Sequence, residues 1–437
     1  MKLSQRSLEH VAAGVRRPGY AFSELGIGII HLGLGAFHRA HQAAFTDEAV
    51  EQAGGRWGIL GVSMRSPTVA QALQAQDGLY SIETLDELPR YRIIGCIRRT
   101  LTAALQSTAV IDAFADPGVA VVTVTVTEKG YCLNGAQLDL QHPDIVHDLQ
   151  HGHAPRSLPG LLLAGLARRH TASAAPLTVI SCDNLAANGQ RLQQAIATLA
   201  EHRSADLADW IHRMVSFPQT MVDCIVPAAN PQSLARAARA LAVADAAAVQ
   251  REPYSEWVIE DRFAGPIPAW AAAGAQIVAS VDAHRRLKLH VLNATHSALA
   301  YLGLARGHEL VREAIADPAL AQFLEGLVAS EIAPALPDLP VQDYWARTRR
   351  RFANPRMDYR LAQVAEDGAA KLAERVFPLL IDNVRAGRPA ERLARIVRAW
   401  MARQALPPEQ QLQDAHTFPE ALRSDPALRR LLLDGPS

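Results

Sequence analysis

Apolar, β-branched runs alternate with helix-like stretches from the N-terminus as far as His284. The candidate strands are short, and several are apolar at every position: Gly28–Leu32, Trp57–Val62, Tyr91–Ile97, Val119–Thr127, Leu177–Cys182 and Met221–Val226. Candidate helices lie between them, including His38–Ala53, Val69–Gln76 and Asn188–Arg203. Strands that are apolar throughout are typical of a parallel sheet covered on both faces. The alternation therefore predicts βαβ units and a doubly wound α/β fold.

The pattern changes to helices alone after the stretch Gln276–His284. The helices predicted there are Leu287–Leu304, Leu310–Ile315, Ala319–Leu336, Tyr344–Phe352, Tyr359–Ala386, Ala390–Gln404 and Pro419–Leu432. Prolines between and within these segments are expected to end or kink them. We therefore predict an α/β domain over residues 1–283 and an all-α domain over residues 284–437.

The first candidate functional element is IGIIHLGLGAFHRAHQ, residues 27–42. In it an apolar strand leads into a Gly-Leu-Gly turn and a predicted helix, as in folds that bind a dinucleotide pyrophosphate. Glycine suits such a turn because the backbone bends tightly and must approach the phosphates closely. His38 occupies the place of the usual third glycine, and a purely structural turn is the alternative. We predict a Rossmann-type domain with the cofactor-binding residues Gly33, Leu34, Gly35, Ala36 and Phe37.

The choice between NAD and NADP depends on the end of the second strand. The acidic residue that usually binds the adenosine ribose is not visible there, and Arg65 follows that strand instead. Arg65 could bind a 2′-phosphate or stack on adenine. The equally favoured alternative is a solvated surface arginine with no contact to the cofactor. On these residues both NAD and NADP stay open, and Arg65 is a candidate cofactor-binding residue.

A cluster of histidines in the same segment raises a metal site as an alternative. His38 and His41 lie three residues apart on one helical face, and His31 precedes them. No cysteine and no well-placed carboxylate completes a ligand set. We therefore predict that the protein uses no metal and that these histidines pack beside the turn.

Composition narrows the class of protein. Lys and Arg number 44 and so do Asp and Glu, and this neutral balance argues against a nucleic-acid binder. No apolar run approaches the roughly 20 residues that span a bilayer, and the first residues are too polar for a signal peptide. The cysteines form no CxxC pair: Cys96, Cys132, Cys182 and Cys224. We expect a cytoplasmic enzyme that acts on a small molecule. We expect no membrane or nucleic-acid partner, and the protein is expected to be a monomer or a small homo-oligomer.

The second candidate element lies just past the predicted domain boundary, where Lys288 is followed by Asn293 and His296. On an α-helix these residues fall at about 0°, 140° and 80°, so Asn293 and His296 are adjacent and Lys288 lies within reach. A lysine, an amide and a histidine together suit alcohol–ketone chemistry. The alternative is a helix start with a solvated lysine and a capping asparagine.

These motifs together resemble the mannitol dehydrogenase family, the polyol-specific long-chain dehydrogenases. The resemblance is carried by GLGAFHRAH, QDGLY, TVTEKGY, SCDNLAANG, FPQTMVD, WVIEDRF and the K-x4-N-x2-H motif, and it covers nearly the whole chain. It implies a Rossmann-type N-terminal domain, an all-α C-terminal domain and metal-free, nicotinamide-dependent oxidoreductase chemistry. On this resemblance we predict NAD as the cofactor, with NADP not excluded. The segments TEKGYC, HPDIVHDL and RFANP are most similar to fructuronate reductases, also called mannonate oxidoreductases.

The resemblance also implies roles for individual residues. Lys288 is the expected general base in alcohol oxidation, which requires its pKa to fall from about 10.4 towards neutrality. Asn184 and Asn293 are expected to donate hydrogen bonds to the substrate oxygen, as in an oxyanion hole. His296 is expected to hold the substrate, and Asp223 is expected to line its site.

Two positions depart from the family pattern. Cys224 stands where an arginine is usual, and Arg285 stands where a glutamate usually precedes the lysine. That glutamate is thought to help protons reach the lysine, so its loss puts the proton route in question. Arg285 is also expected to lower the pKa of Lys288 by like-charge repulsion.

A uronate substrate needs a cationic anchor that a neutral polyol does not. If Tyr359–Arg375 is one helix, Arg360, Lys371 and Arg375 share one stripe and can hold the carboxylate. Asp367 precedes Lys371 by four residues, so a solvated helix face is the alternative, and Gly368 is a position at which the helix could break. We predict fructuronate as the substrate, with a polyol as the alternative. A non-catalytic dinucleotide sensor and a metal-dependent hydrolase are the other classes considered.

Overall fold

The computed structural model describes residues 1–172 and 175–434. The chain divides into two compact units, Met1–Val281 and Asp282–Ser437, where the sequence predicted a boundary at 283. The strands all belong to the first unit: β1 Ile27–Leu32, β2 Gly58–Ser63, β3 Tyr80–Thr84, β4 Arg90–Ile94, β5 Ile97–Thr102, β6 Val121–Val124, β7 Leu133–Asn134, β8 Gln137–Leu138, β9 Leu177–Ser181, β10 Val215–Ser216, β11 Thr220–Asp223, β12 Val249–Arg251, β13 Glu256–Glu260 and β14 Gln276–Val278.

The helices of the first unit connect these strands. They are α1 Ala36–Ala40, α2 Gln42–Ala53, α3 Thr68–Gln74, α4 Ala103–Ala113, α5 Pro143–Gln150, α6 Leu158–Thr171, α7 Asn188–Arg203, α8 Ala205–Met214 and α9 Pro231–Leu241. Among the helices within 1–172 and 175–434, none is both long enough and apolar enough to cross a bilayer.

The core of the first unit is a parallel sheet in the order β10-β9-β6-β1-β2-β5. Its central strands are buried along nearly their whole length. On β1, Ile30 and Leu32 pack into the hydrophobic cluster on one face, and Ile29 packs into the cluster on the other. Burial on both faces explains why these strands are apolar without alternation. The predicted α/β fold class is confirmed.

Two predicted strands are wrong in detail. The run predicted as Tyr91–Ile97 is divided, because β4 forms a hairpin with β3 and Ile97 then begins β5 in the parallel sheet. At the division the backbone N–H of Gly95 donates to the buried Asp47 carboxylate at 2.8 Å instead of to a strand. The run predicted as Met221–Val226 ends at Asp223, and this strand pairs antiparallel with β13 in a separate three-stranded sheet.

The second unit contains only helices among its described residues, as predicted. These are α10 Asp282–Leu287, α11 Ala294–Ala305, α12 Val311–Ala316, α13 Pro318–Leu327, α14 Val341–Phe352, α15 Leu361–Ala365, α16 Gly368–Arg375, α17 Phe377–Arg385, α18 Glu391–Met401, α19 Pro408–Gln411, α20 Glu420–Ser424 and α21 Pro426–Leu433. Every residue of α11 from Ala294 to Gly303 is buried, so this helix forms the centre of the unit's core.

Several helices predicted as continuous are interrupted. His41, with φ −119° and ψ −87°, separates α1 from α2. Residues Lys288–Asn293 form a π-helix between α10 and α11, and Val328–Ile332 form another after α13. The predicted single helix Tyr359–Ala386 is wrong: it is three helices, α15 to α17, and Asp367 between the first two has a left-handed φ of 53°.

Candidate functional site

The turn after β1 requires glycine at its first position. Gly33 donates its backbone N–H to the Val62 carbonyl at 2.9 Å and has a φ of 104°. A Cβ added at Gly33 would lie 1.9 Å from the Thr125 carbonyl oxygen at the end of β6. No side chain fits there, so the parallel sheet itself imposes this glycine.

Gly35 has a different reason to be glycine. Its φ of −86° is open to any residue, and a Cβ there would meet only the Gly33 carbonyl oxygen, at 3.7 Å. Gly35 is exposed and forms the N-cap of α1, where Ala36 and Phe37 follow it. The fold does not need a glycine here, but a pyrophosphate approaching the backbone does. The turn therefore fits the predicted phosphate site.

His38, at the position of the usual third glycine, packs against β1. Its ring stacks on that of His31 with centroids 3.2 Å apart and planes 10° from parallel. His31 hydrogen-bonds with Thr123 Oγ1, Thr125 Oγ1 and the Gly33 carbonyl, at 2.8 to 3.0 Å. A flat imidazole stack thus fills the helix–strand contact that a glycine usually closes. Among the described residues, no cluster of His, Cys, Asp and Glu is arranged to hold a metal.

Burial keeps both stacked histidines neutral. It lowers the pKa of His31 from 6.5 to about 3, and it lowers the pKa of His38 well below 6.5, with the neighbouring His31, Arg39 and His41 adding to that shift. Within the described part of the chain, neither ring nitrogen of His38 has a hydrogen-bond partner. A proton on either ring would therefore be costly in the folded protein.

This pair should make the first unit acid-sensitive. The unfolded chain binds a proton at each histidine below pH about 6.5 whereas the folded chain does not, so stability is complete above that pH and falls as pH decreases. Each histidine should remove about 2 kcal/mol of unfolding free energy between about pH 7.5 and pH 5. His38→Phe keeps the stack but cannot titrate. In this variant, urea unfolding should show a loss of unfolding free energy between about pH 7.5 and pH 5 that is smaller by about 2 kcal/mol. The exposed His212→Gln is the control, and an unchanged loss in His38→Phe would contradict the assignment.

A half-buried carboxylate holds the loops after β6 and β9 together. Asp183 accepts hydrogen bonds from the backbone N–H groups of Val126 and Thr127, at 3.1 and 2.9 Å, and from the Tyr131 hydroxyl at 2.7 Å. Burial raises the pKa of Asp183, and these three donors oppose that shift. Thr127 has a φ of 72°, a strained backbone that these contacts hold. Asn184, the next residue, is thereby fixed on the exposed edge of the sheet.

The predicted residue Asp223 is joined to the same edge through Asn188. The Asn188 amide donates to the carbonyl oxygens of Ser181 and Thr220, and its oxygen accepts from the Thr220 N–H at 3.0 Å. Asn188 therefore ties the end of β9 to the start of β11, the strand that ends at the buried Asp223. Asn184 and Asp223 are thus carried by two tied segments of the first unit.

The departure at Cys224 has a neighbour that the sequence did not indicate. Arg251, on β12, lies near Cys224, and it donates to the Ala40 carbonyl at 2.9 Å. Burial lowers the pKa of this guanidinium. A cation is therefore present near position 224 although the family's arginine is missing from it.

In the second unit, the π-helix changes the geometry of the predicted catalytic motif. Its hydrogen bonds join residues five apart, and Lys288 and Asn293 are five apart at its two ends. They therefore lie about one turn apart, not separated by the angle of about 140° that an α-helix predicts. Lys288 is half-buried, whereas Asn293 and His296 are each 8% exposed. The π-helix brings the lysine and the asparagine together by backbone geometry alone.

Aromatic rings from α14 and the segment after it surround His296. Its ring lies 5.0 Å from that of Phe352 and 5.3 Å from that of Tyr359. Tyr359 in turn is close enough to Arg375 for the guanidinium to oppose the rise in its pKa that burial causes. His296 therefore packs against the aromatic rings of Phe352 and Tyr359, and the guanidinium of Arg375 lies near Tyr359.

Of the three predicted anchors, Arg375 contacts α11, the helix that contains His296. Its guanidinium donates to Ser297 Oγ at 3.2 Å. Lys371 donates to the Val364 carbonyl at 3.1 Å, at the end of α15. Arg360 precedes α15, has a side chain 72% exposed and lies 3.9 Å from Glu309. The predicted single stripe is wrong. The helix is interrupted at Asp367, and this interruption separates Arg360 from Lys371 and Arg375.

The second departure, Arg285, forms an ion pair with Asp282 at 3.2 Å, one turn earlier on α10. Its charge is partly compensated there, which reduces the expected repulsion on Lys288. Sequence reasoning missed Tyr359, Phe352 and Ser297 as neighbours of the motif. RFANP contains Phe352 and was noted for its resemblance, but no local periodicity indicates that this ring reaches His296.

The two units define the class of protein: a two-domain dehydrogenase with a Rossmann-like unit and a helical unit that contains the predicted catalytic motif. The family model described as Mannitol dehydrogenase Rossmann domain matches residues 27–272, and that described as Mannitol dehydrogenase C-terminal domain matches residues 280–411. The chain belongs to the mannitol dehydrogenase family. The predicted family and its enzyme class, an oxidoreductase acting on secondary alcohols, are confirmed.

Several relatives support this assignment along most of their length. The chain is 40% identical to the uncharacterized oxidoreductase YeiQ of Escherichia coli K12, covering 89% of this chain and 81% of that protein. It is 39% identical to the D-mannonate oxidoreductase of the same organism, covering 89% and 82%. The structure of Pseudomonas fluorescens mannitol 2-dehydrogenase, a ternary complex with NAD and D-mannitol, matches with a TM-score of 0.84 at 33% identity, covering 99% of this chain and 91% of that one.

Proposed function

We propose that this protein is an NAD-dependent oxidoreductase that interconverts a keto-uronate and its alcohol, with fructuronate and mannonate as the substrate pair. The observation that carries the substrate class is the guanidinium of Arg375 against Ser297, next to His296 in the buried core helix. A guanidinium near the substrate-holding histidine suits a carboxylate, which a neutral polyol lacks. The similarity to D-mannonate oxidoreductase supports the same choice.

The proposed cofactor site uses the residues of the first turn, Gly33 to Phe37. Gly35 leaves its backbone open to a pyrophosphate, and Arg65 is exposed in the loop directly after β2, where the adenosine ribose is read in Rossmann folds. When bound, NAD supplies the acceptor for a hydride from the substrate carbon. The mannitol 2-dehydrogenase that this chain resembles has NAD in its structure, which supports NAD over NADP.

The proposed chemistry in the second unit rests on three side chains. Lys288 Nζ takes the hydroxyl proton in oxidation and returns it in reduction. Asn293, one π turn away, donates a hydrogen bond to the same oxygen as its negative charge develops, which stabilises the transition state more than the ground state. His296, which packs against Phe352 and Tyr359, positions the substrate. Asn184 and Asp223 keep the oxygen-binding and substrate-lining roles that the resemblance implies.

The two turn glycines provide a test of the cofactor site. Gly33→Ala places a Cβ on the Thr125 carbonyl oxygen, so we expect a loss of roughly 2–6 kcal/mol in unfolding free energy. Gly35→Ala should change stability by less than about 1 kcal/mol yet weaken NADH binding, because only the ligand needs that space. Denaturant unfolding and fluorescence titration with NADH measure the two effects. Unchanged NADH affinity in Gly35→Ala would contradict the proposed pyrophosphate position.

A substrate panel tests the proposed function itself. Fructuronate, tagaturonate, fructose, xylulose and the matching alcohols are assayed with NADH or NAD and with NADPH or NADP. We expect a higher kcat/KM for fructuronate than for fructose and a preference for NADH. A preference for fructose or mannitol would favour a mannitol 2-dehydrogenase activity, as in several relatives, and overturn the uronate assignment. A large NADPH advantage that disappears in Arg65→Ala would overturn the cofactor preference.

A further inference from the structure

The second unit contains a cavity at the C-terminal end of α11, the helix that contains His296. It has a volume of about 610 Å³ and is lined by apolar side chains of α11, α13, α18 and α21, among them Leu302, Phe323, Met401 and Leu432. Leu302 lies fourteen residues after Lys288 and six after His296, which is about 20 Å and about 9 Å along a helix axis. None of the residues proposed for the oxidoreduction lines this cavity.

The polar groups at this cavity are unusually uniform in charge. Four of its lining residues are arginines, and no Asp or Glu is among those described: Arg306, Arg395, Arg398 and Arg403. Arg306 is paired with Asp317 at 2.7 Å, and Arg398 donates to the Leu431 carbonyl. Arg395 lies over the Phe323 ring, 5.5 Å from its centroid, where the apolar lining meets the charged rim.

The guanidiniums of Arg395 and Arg398 repel each other across less than one helical turn of α18. Burial lowers the pKa of Arg398, and the charge of Arg395 lowers it further. An anion placed at this rim would relieve the repulsion and gain charge-assisted hydrogen bonds. The apolar lining below offers no comparable set of partners for the hydroxyl groups of a sugar, whereas it suits a hydrocarbon chain.

We propose that this cavity binds an amphipathic monocarboxylate, with the alkyl chain among Leu302, Phe323 and Met401 and the carboxylate at Arg395 and Arg398. The volume is within the range of about 300–1,000 Å³ typical of small-molecule sites. The charge at the rim selects the sign of the head group, and the lining selects an apolar tail. The cavity is thus a second ligand site, distinct in chemistry from the sugar site.

The test uses decanoate as the probe on the full-length protein. Calorimetric titration should show one decanoate bound per chain, and thermal unfolding should show a raised unfolding temperature. Binding should be at least about tenfold weaker for nonyltrimethylammonium, which has the same nine-carbon chain and the opposite charge. Arg395→Gln should weaken decanoate binding about tenfold. Arg385→Gln, an exposed arginine of α17 that does not line the cavity, is the matched control and should bind normally.

Several results would overturn the proposal. These are no saturable binding of decanoate, equal affinity for the cationic probe, or unchanged affinity in Arg395→Gln whose unfolding temperature is normal. A dimer that decanoate dissociates would assign the apolar lining to a second copy of the chain. That outcome also overturns the proposal.

Discussion

Replacement of Lys288 by alanine is expected to lower kcat by about 10²- to 10⁴-fold, the usual range for a lost general acid–base group. The π-helix sets Lys288 one turn from Asn293, where both reach the same substrate oxygen in the proposed reaction. Lys288 belongs to the second unit and Gly33 and Gly35 to the first, so NADH affinity should remain within about twofold of the parent protein. Steady-state kinetics with fructuronate and a separate NADH titration measure the two quantities.

Matched variants separate the proton transfer from simple loss of charge. Lys288→Arg keeps the positive charge, but a guanidinium does not release its proton near neutral pH, so this variant should be as inactive as the alanine variant. Arg286→Ala removes an exposed cation two residues earlier and should keep kcat within about threefold. Residual activity of Lys288→Ala within about tenfold of the parent protein would show that another group carries the proton.

Replacement of Arg375 by methionine is expected to reduce kcat/KM for fructuronate by about 10- to 100-fold and to change kcat/KM for fructose by less than about threefold. A hydrogen bond to a charged group contributes about 1.5–3 kcal/mol, and only the acid can make it. The guanidinium already contacts Ser297 of the core helix, next to His296. The ratio of the two kcat/KM values isolates this effect from any general loss of folded enzyme.

The other two cations of the segment provide the controls. Lys371→Met should narrow the preference for the acid less than Arg375→Met does, because Lys371 Nζ donates to the Val364 carbonyl at the end of α15. Arg360→Met should leave kcat/KM unchanged for both substrates, because this exposed side chain lies before the helix interruption at Asp367. An equal loss for fructuronate and fructose in Arg375→Met would assign Arg375 to folding or to general substrate binding.

Local chemistry determines the features that the sequence predicted correctly. A buried parallel strand must be apolar on both faces, so β1, β2 and β9 are visible as runs of Ile, Leu and Val. The turn that follows β1 must be glycine at Gly33, because the neighbouring strand leaves no room for a Cβ. The spacing of Lys288, Asn293 and His296 is likewise a property of a few consecutive residues. These signals suffice for the fold class and the family.

The remaining features depend on contacts between residues far apart in the chain. The π-helix at Lys288 and the division between β4 and β5 interrupt patterns that the sequence continues, and for the break at Asp367 the sequence offered only Gly368 as a candidate. The stack of His31 on His38 depends on tertiary packing in the same way. Periodicity reports which face of an element is apolar, but it does not report where a distant partner displaces a hydrogen bond or fills a gap.

The proposed anchor shows this division most clearly. The sequence by itself determined that Arg360, Lys371 and Arg375 belong to one cationic segment of a helical domain. Only the tertiary structure decided that Arg375 reaches Ser297 and that Arg360 does not, because Gly368 packs against Trp400 and Tyr301 too closely to admit a Cβ. The direction of a side chain after such a break depends on those packing partners, and no spacing within the segment encodes them.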